Sequence, residues 1–83
     1  MTARVLYKSS VAHDLKKISA KDKHMVLRQI EELLGGDPKS GEALHGEFDG
    51  LFKLRVGDYR AIYAIIGADV LVLRIRRRSK AYG

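Results

Sequence analysis

Read for apolar and polar positions, the chain divides into a helical first half and a strand-forming second half. Ala3–Tyr7 (A-R-V-L-Y) reads as a short strand. Val11, Leu15 and Ile18 recur at i, i+4 and i+7, which predicts a helix over about Val11–Ile18, with Ser9 and Ser10 available as N-caps. Lys16 and Lys17 fall in its last turn, where cations suit the helix dipole. Ser19-Ala20-Lys21-Asp22 has the form of a capping box with Asp in the place of Glu. It opens a second helix running to about Leu34, whose apolar stripe is Val26, Ile30, Leu33 and Leu34. Gly35-Gly36 is expected to supply a left-handed C-cap, and Pro38 bars continuation.

From Leu51 the period falls to two. Phe52, Leu54 and Val56 take one face of a strand, and Lys53 and Arg55 the other. Gly57-Asp58 is a two-residue hairpin loop with Gly supplying a positive φ, so Val56 partners Tyr59, Leu54 Ala61 and Phe52 Tyr63. On the opposite face Arg55 falls across from Arg60, and Lys53 across from Ile62. The core face continues through Tyr59, Ala61, Tyr63 and Ile65. A second turn, taken as the three-residue loop Gly67-Ala68-Asp69, pairs Ile66 with Val70 and Arg60 with Arg76. It sends Leu71, Leu73 and Ile75 to the core, where a slip of one residue would expose them. Between helices and strands, Asp37–Gly50 is a turn-rich connection that Leu44 and Phe48 are expected to anchor to the core. The whole predicts an α+β fold, β-α-α-β-β-β. A helix hairpin packs on one face of a mainly antiparallel four-stranded sheet, and the direction of the first strand is left open.

Charge changes this picture. Residues 1–52 hold eight Lys/Arg and eight Asp/Glu, whereas residues 53–83 hold eight Lys/Arg against Asp58 and Asp69 alone. The net charge of +6 therefore lies wholly on the strand-forming half, which points to an anionic partner such as nucleic acid. Strand parity gathers Lys53, Arg55, Arg60 and Arg76, with Arg74 and Arg78 more peripheral, on one side of one sheet. Like charges directly opposite one another destabilise a sheet by up to roughly 1 kcal/mol a pair. A fold gains nothing from that, but a phosphate site does. The competing reading is a solvated basic face with its charges splayed into water.

Length and composition bound the rest. Eighty-three residues, 46% hydrophobic and 31% charged, make one globular domain over residues 1–83, small enough to leave apolar surface for a partner chain. There is no cysteine, hence no disulfide framework, thiolate nucleophile or Cys-based metal site, in keeping with a reducing cytoplasm. No apolar h-region follows Met1, and no apolar run approaches the length of a membrane span; the expectation is a cytoplasmic protein without a signal peptide.

The chemistry that is present is cationic. His13, His24 and His45 lack ligand spacing, so neither metal nor cofactor is expected. The basic face is expected to have no neighbouring carboxylate or histidine. RNA can still be cleaved there if the ribose 2′-OH attacks the adjacent phosphate. Lys53, crowded by cations, is the candidate general base. Arg60 and Arg76 would stabilise the phosphorane charge. An Arg is a poor acid for the leaving 5′-oxygen, so efficiency would depend on an external surface that orients the RNA. Tyr82 is placed to stack on a base, or is a terminal tyrosine without a role.

The segment F-K-L-R-V-G-D-Y-R-A-I-Y, the final L-R-I-R-R-R-S-K-A-Y and the strand and helix hairpin before them resemble the RelE/ParE superfamily of bacterial toxins. The resemblance spans nearly the whole chain, and K-x-R-x-x-x-Y-R-x-x-Y is its most specific part. It implies a toxin held inactive by an antitoxin that wraps around it, here a RelB-like one. The RelE branch has a compact microbial-RNase-like fold and cuts mRNA in the ribosomal A site, without a metal. The ParE branch poisons DNA gyrase. By position, the family's site residues fall on Lys53, Arg55, Arg60, Arg76 and Tyr82, with Arg74, Arg78 and Lys80 as further RNA contacts. Arg55 stands where RelE relatives often have a second lysine, and Arg77 where many have a histidine. Keeping Lys53, Arg60, Arg76 and Tyr82 together favours the ribosome-dependent endonuclease. A gyrase inhibitor and a non-catalytic nucleic-acid-binding module are the alternatives.

Overall fold

Residues 3–77 are described by a computed structural model, and the alternating second half of the chain forms the centre of its sheet. In order come β1 (Val5–Tyr7), α1 (Ser9–Leu15), α2 (Ala20–Gly36), β2 (Glu42–Ala43), a 3-10 turn at Gly46–Phe48, β3 (Leu51–Val56), β4 (Tyr59–Ile66) and β5 (Asp69–Arg77). The sheet has five strands in the order β1-β5-β4-β3-β2. Among the described residues, only β1 runs parallel to its neighbour. Both helices contribute to the core on one face. Val11, Val26, Ile30 and Leu34 meet Leu54, Val56, Tyr59, Ala61, Tyr63, Val70, Val72 and Ile75, all buried. The predicted architecture holds, with β2 as a fifth strand inside the stretch expected to be only turns.

The first hairpin has the expected register. Gly57 adopts φ +56°, and Val56–Tyr59, Arg55–Arg60, Leu54–Ala61, Lys53–Ile62 and Phe52–Tyr63 are partners. The second hairpin departs from it. Ile66 pairs with Asp69, so the loop is Gly67-Ala68, one residue shorter than expected. That shift alone turns Val70 and Val72 inward, and both are buried, while Leu71 and Leu73 are only half-buried. The expectation that Leu71 and Leu73 face the core is overturned. Further on, Tyr63 pairs with Val72 but Ile62 with Arg74, which leaves Leu73 as the extra residue of a β-bulge. The bulge reverses parity a second time. Ile75 is buried and Arg60 again stands opposite Arg76, because the short turn and the bulge cancel.

The helices are set by what their ends bind. α1 starts two residues earlier than predicted, with Lys8 at its N-cap and no side-chain cap. The Ser10 hydroxyl instead donates to the Leu73 carbonyl at 2.6 Å, and the Lys8 N–H donates to the Val72 carbonyl, so α1 takes over the edge of β5 where β1 stops. After Leu15 the chain tightens, each N–H of Lys16, Lys17 and Ile18 bonding three residues back. Ser19 caps α2 as expected, accepting from the Asp22 N–H at 3.2 Å. The Asp22 carboxylate accepts from the Tyr59 hydroxyl at 2.8 Å, tying α2 to β4. α2 runs on through Gly35 and Gly36 without the predicted left-handed cap. Gly35 is buried and its carbonyl accepts the Ala3 N–H, while Asp37 leaves in an extended conformation. Leu33, expected in the stripe, is exposed.

Tyr63 holds the connection. Its buried hydroxyl donates to the Pro38 carbonyl at 2.7 Å and accepts the Gly41 N–H at 3.0 Å. Position 41 demands glycine, since a Cβ there would lie 2.5 Å from the Tyr63 hydroxyl and 2.7 Å from the Lys53 carbonyl. This contact seats β2 against β3, pairing Glu42 with Lys53.

Candidate nucleic-acid interface

Parity carries the cations of β3, β4 and β5 to the sheet face away from the helices. They stand in two adjacent rows across the strands. One row is Arg55, Arg60 and Arg76; the next is Lys53, Ile62 and Arg74. Neighbouring strands lie about 4.8 Å apart, so the all-arginine row spans roughly 10 Å of backbone. Of the six cations predicted to share this face, the five among the described residues do so. Arg77, one position on, falls on the helix side. With Lys17, Ile18, Arg74 and Arg76 it lines a cavity of about 250 Å³ beside β5. Arg78, Lys80 and Tyr82 lie outside the described residues.

Two carboxylates correct the expectation of a face without acidic neighbours. Glu42 of β2 places Oε1 at 3.6 Å from the Lys53 Nζ. Asp14 of α1, only 5% exposed, accepts from Arg74 Nε at 2.9 Å and Nη2 at 2.8 Å. It also takes the Ile75 N–H at 3.0 Å, filling a backbone position where β5 has no strand beside it. The Arg74 guanidinium holds the Asp14 carboxyl below the usual carboxylate range, outweighing burial, and the Ile75 N–H adds to that effect. Arg74 is thus a clamped guanidinium at the margin of the face, whereas the sequence marked it simply as an RNA contact.

The sequence missed both carboxylates. Asp14 sits three residues after Val11 and one before Leu15, within the apolar stripe of α1, and a charge there signals a buried partner. Glu42 left no such trace, because a two-residue strand has no period to read.

An apolar hollow of about 540 Å³ adjoins the cations. Leu44, Phe48, Leu51, Ile62 and Leu73 form its apolar wall, and Lys53, Arg60, Arg74 and Arg76 its charged one. Leu44 and Phe48 were expected to anchor the connection to the core. Instead the 3-10 turn after β2 presents Phe48 at this hollow, on the face away from the helices, with 53% of its surface exposed. Among the described residues, no group of three or more His, Asp or Glu side chains comes together as a metal site. No helix among them is long and apolar enough to cross a membrane.

A family model described as the ParE toxin of the type II toxin-antitoxin system parDE matches residues 5–82. The chain belongs to this family. As a ParE-family toxin of the RelE/ParE superfamily, it is similar in structure to both branches. The toxin-antitoxin complex RelBE2 from Mycobacterium tuberculosis matches with TM-score 0.88 at 27% identity, covering 95% of this chain and 94% of that one. The ParDE system of P. aeruginosa matches with TM-score 0.75 at 19% identity, over 92% and 96%. The archaeal RelE–RelB complex from Pyrococcus horikoshii matches with TM-score 0.73 at 24% identity, over 96% and 99%. The last two likenesses carry the fold alone. No curated protein matches the ParE-family chain.

Proposed function

We propose that this toxin is a ribosome-dependent mRNA endonuclease that cleaves in the A site and so blocks translation. The observation that carries the reading is the Arg55–Arg60–Arg76 row with Lys53 in the row beside it. Such a face holds a phosphodiester and stabilises the extra charge of a phosphorane. The 2′-OH attacks the adjacent phosphorus as Lys53, acting as the neutral amine, accepts its proton, and Arg60 and Arg76 bind the non-bridging oxygens. The 5′-oxygen departs with a proton taken from water, leaving a 2′,3′-cyclic phosphate and a 5′-hydroxyl. Glu42, within ion-pair distance of Lys53, is a second acceptor for the first proton. No strong acid faces the leaving oxygen among the described residues, which fits a need for the ribosome to orient the RNA. The reaction needs no metal and no cofactor.

Residues 1–83 act as one domain in the cytoplasm, held inactive by a RelB-like antitoxin that covers the basic face with acidic and apolar residues. The similar solved structures of the RelBE2 toxin-antitoxin complex and the archaeal RelE–RelB complex support that partner. Primer extension on ribosome-bound mRNA tests the reading. Cuts within the A-site codon that vanish in Arg60→Ala are the expected result. A folded, toxic protein that makes no cuts overturns it.

The description of the matching family model favours one second reading, a ParE-type toxin that inhibits DNA gyrase. A supercoiling assay separates the two. Salt-sensitive RNA binding with neither cuts nor gyrase inhibition would leave a non-catalytic binding module.

A further inference from the structure

We infer that the hollow beside the arginine row is a nucleobase site, with Phe48 as its stacking surface. The inference rests on reading this face as an RNA site and names which part of the RNA the apolar wall receives. Phe48 is a large apolar side chain that folding leaves more than half exposed. It lines the same hollow as Leu51, Ile62 and Leu73, so the apolar wall holds both an aromatic ring and aliphatic side chains. Lys53, Arg60 and Arg76 edge the same hollow. A nucleotide has matching halves, a flat ring that stacks and a phosphate that takes N–H donors. The volume of about 540 Å³ lies within the roughly 300–1,000 Å³ of small-ligand sites.

Ile62 is central to the geometry. It occupies the middle of the second row, between Lys53 and Arg74, where a sixth cation would otherwise stand. This puts the base position one row from the arginines, about two residues or roughly 7 Å along the strand, close to the spacing of a base from its own phosphate. The cations hold any sequence, and the hollow is the element of this face able to distinguish one base from another or from none. An acidic, apolar peptide is the rival occupant. The spacing of one row, with Ile62 in the middle of one row and arginines in the next, matches a base and its own phosphate and favours the nucleotide.

The test uses the full chain and a fluorescein-labelled 2′-O-methyl RNA trimer, which cannot be cleaved, with and without its central base. Both probes carry the same phosphates. Wild type is expected to bind the complete trimer at least about fivefold tighter than the abasic one, since stacking on one aromatic is worth about 5- to 150-fold. Phe48→Ala should erase the difference and Phe48→Tyr should keep it. Equal affinities in wild type overturn the site, as does a gap that survives Phe48→Ala. Phe48-dependent binding of an acidic, leucine-rich peptide, with no preference between the trimers, overturns it in favour of a protein partner. Base-dependent binding without cuts on ribosomes keeps the site and removes the endonuclease reading. Cuts without base-dependent binding do the reverse.

Discussion

Asp14 and Arg74 are joined by two hydrogen bonds, one to each carboxylate oxygen, although sixty residues separate them in the chain. The same carboxylate takes the N–H of Ile75. One side chain of α1 therefore closes the edge of β5 and fixes an arginine beside the basic face. It does so directly after the bulge at Leu73, where the strand changes parity and most needs a fixed position. A buried acceptor with three donors is expensive to remove, because the donors are left without partners.

Asp14→Asn should therefore lower stability at neutral pH by about 2 kcal/mol, or roughly 10 °C in Tm for a domain of this size. The folded-state pKa of Asp14 is depressed, so its contribution is complete above the unfolded carboxylate value of about 4. It is lost as pH falls through the lower, folded value. Thermal melts of both proteins across the acid range should show the gap closing as pH drops below about 4. A gap that stays constant with pH would mean that charge has no part in the interaction.

Gly41 is the second point at which one residue holds a large piece of the site. Gly41→Ala should cost about 1–3 kcal/mol, since the methyl meets the Tyr63 hydroxyl and the Lys53 carbonyl, and neither can move away cheaply. Tyr63 is buried and stacks on Phe52 with ring centroids 5.3 Å apart. The carbonyl belongs to the β3 backbone. Amide hydrogen exchange in the variant should rise first in β2 and the connection, ahead of global unfolding. Protection unchanged there would show that the loop absorbs the methyl.

The two hairpins explain how far the fold could be read. Between Leu51 and Tyr63, apolar and charged residues alternate closely enough that one register alone buries the apolar set. Between Val70 and Leu73, all four residues are apolar, so the pattern carries no parity and the loop could be two residues or three. The bulge left no mark for the same reason. The face of Arg76 was legible because two unseen shifts cancelled. Phe48 was assigned to the core by residue type, whereas its position follows from β2, which is too short to announce itself. Contacts such as Asp14 with Arg74 depend on how α1 docks, which local spacing does not encode.

Glu42 lies beside Lys53 with its own side chain largely exposed, so the pair is screened and weak. An RNA phosphate approaching Lys53 must displace or tolerate that carboxylate. Glu42→Gln is expected to tighten binding of the uncleavable trimer by about two- to fivefold, the range of an exposed ion pair. Fluorescence anisotropy at low and moderate salt checks it. No change in affinity would place the phosphate away from Lys53 and redirect attention to the Arg55–Arg60–Arg76 row.

Arg60 and Arg76 face each other across β4 and β5, on the face opposite the core, so neither side chain is part of the apolar packing. Directly opposed cations repel, and removing one relieves that repulsion, so each variant should still fold. Their loss should fall on function instead. Arg60→Ala and Arg76→Ala are each expected to abolish growth inhibition, and each should lower the slope of log K against log salt for RNA binding by about 0.7, one phosphate contact on a single strand. Toxicity and melting temperature measured on the same two variants decide the matter. Variants that fold like wild type but no longer inhibit growth put the phosphate between these strands. Variants that remain toxic, or that unfold, would move the site elsewhere on the protein.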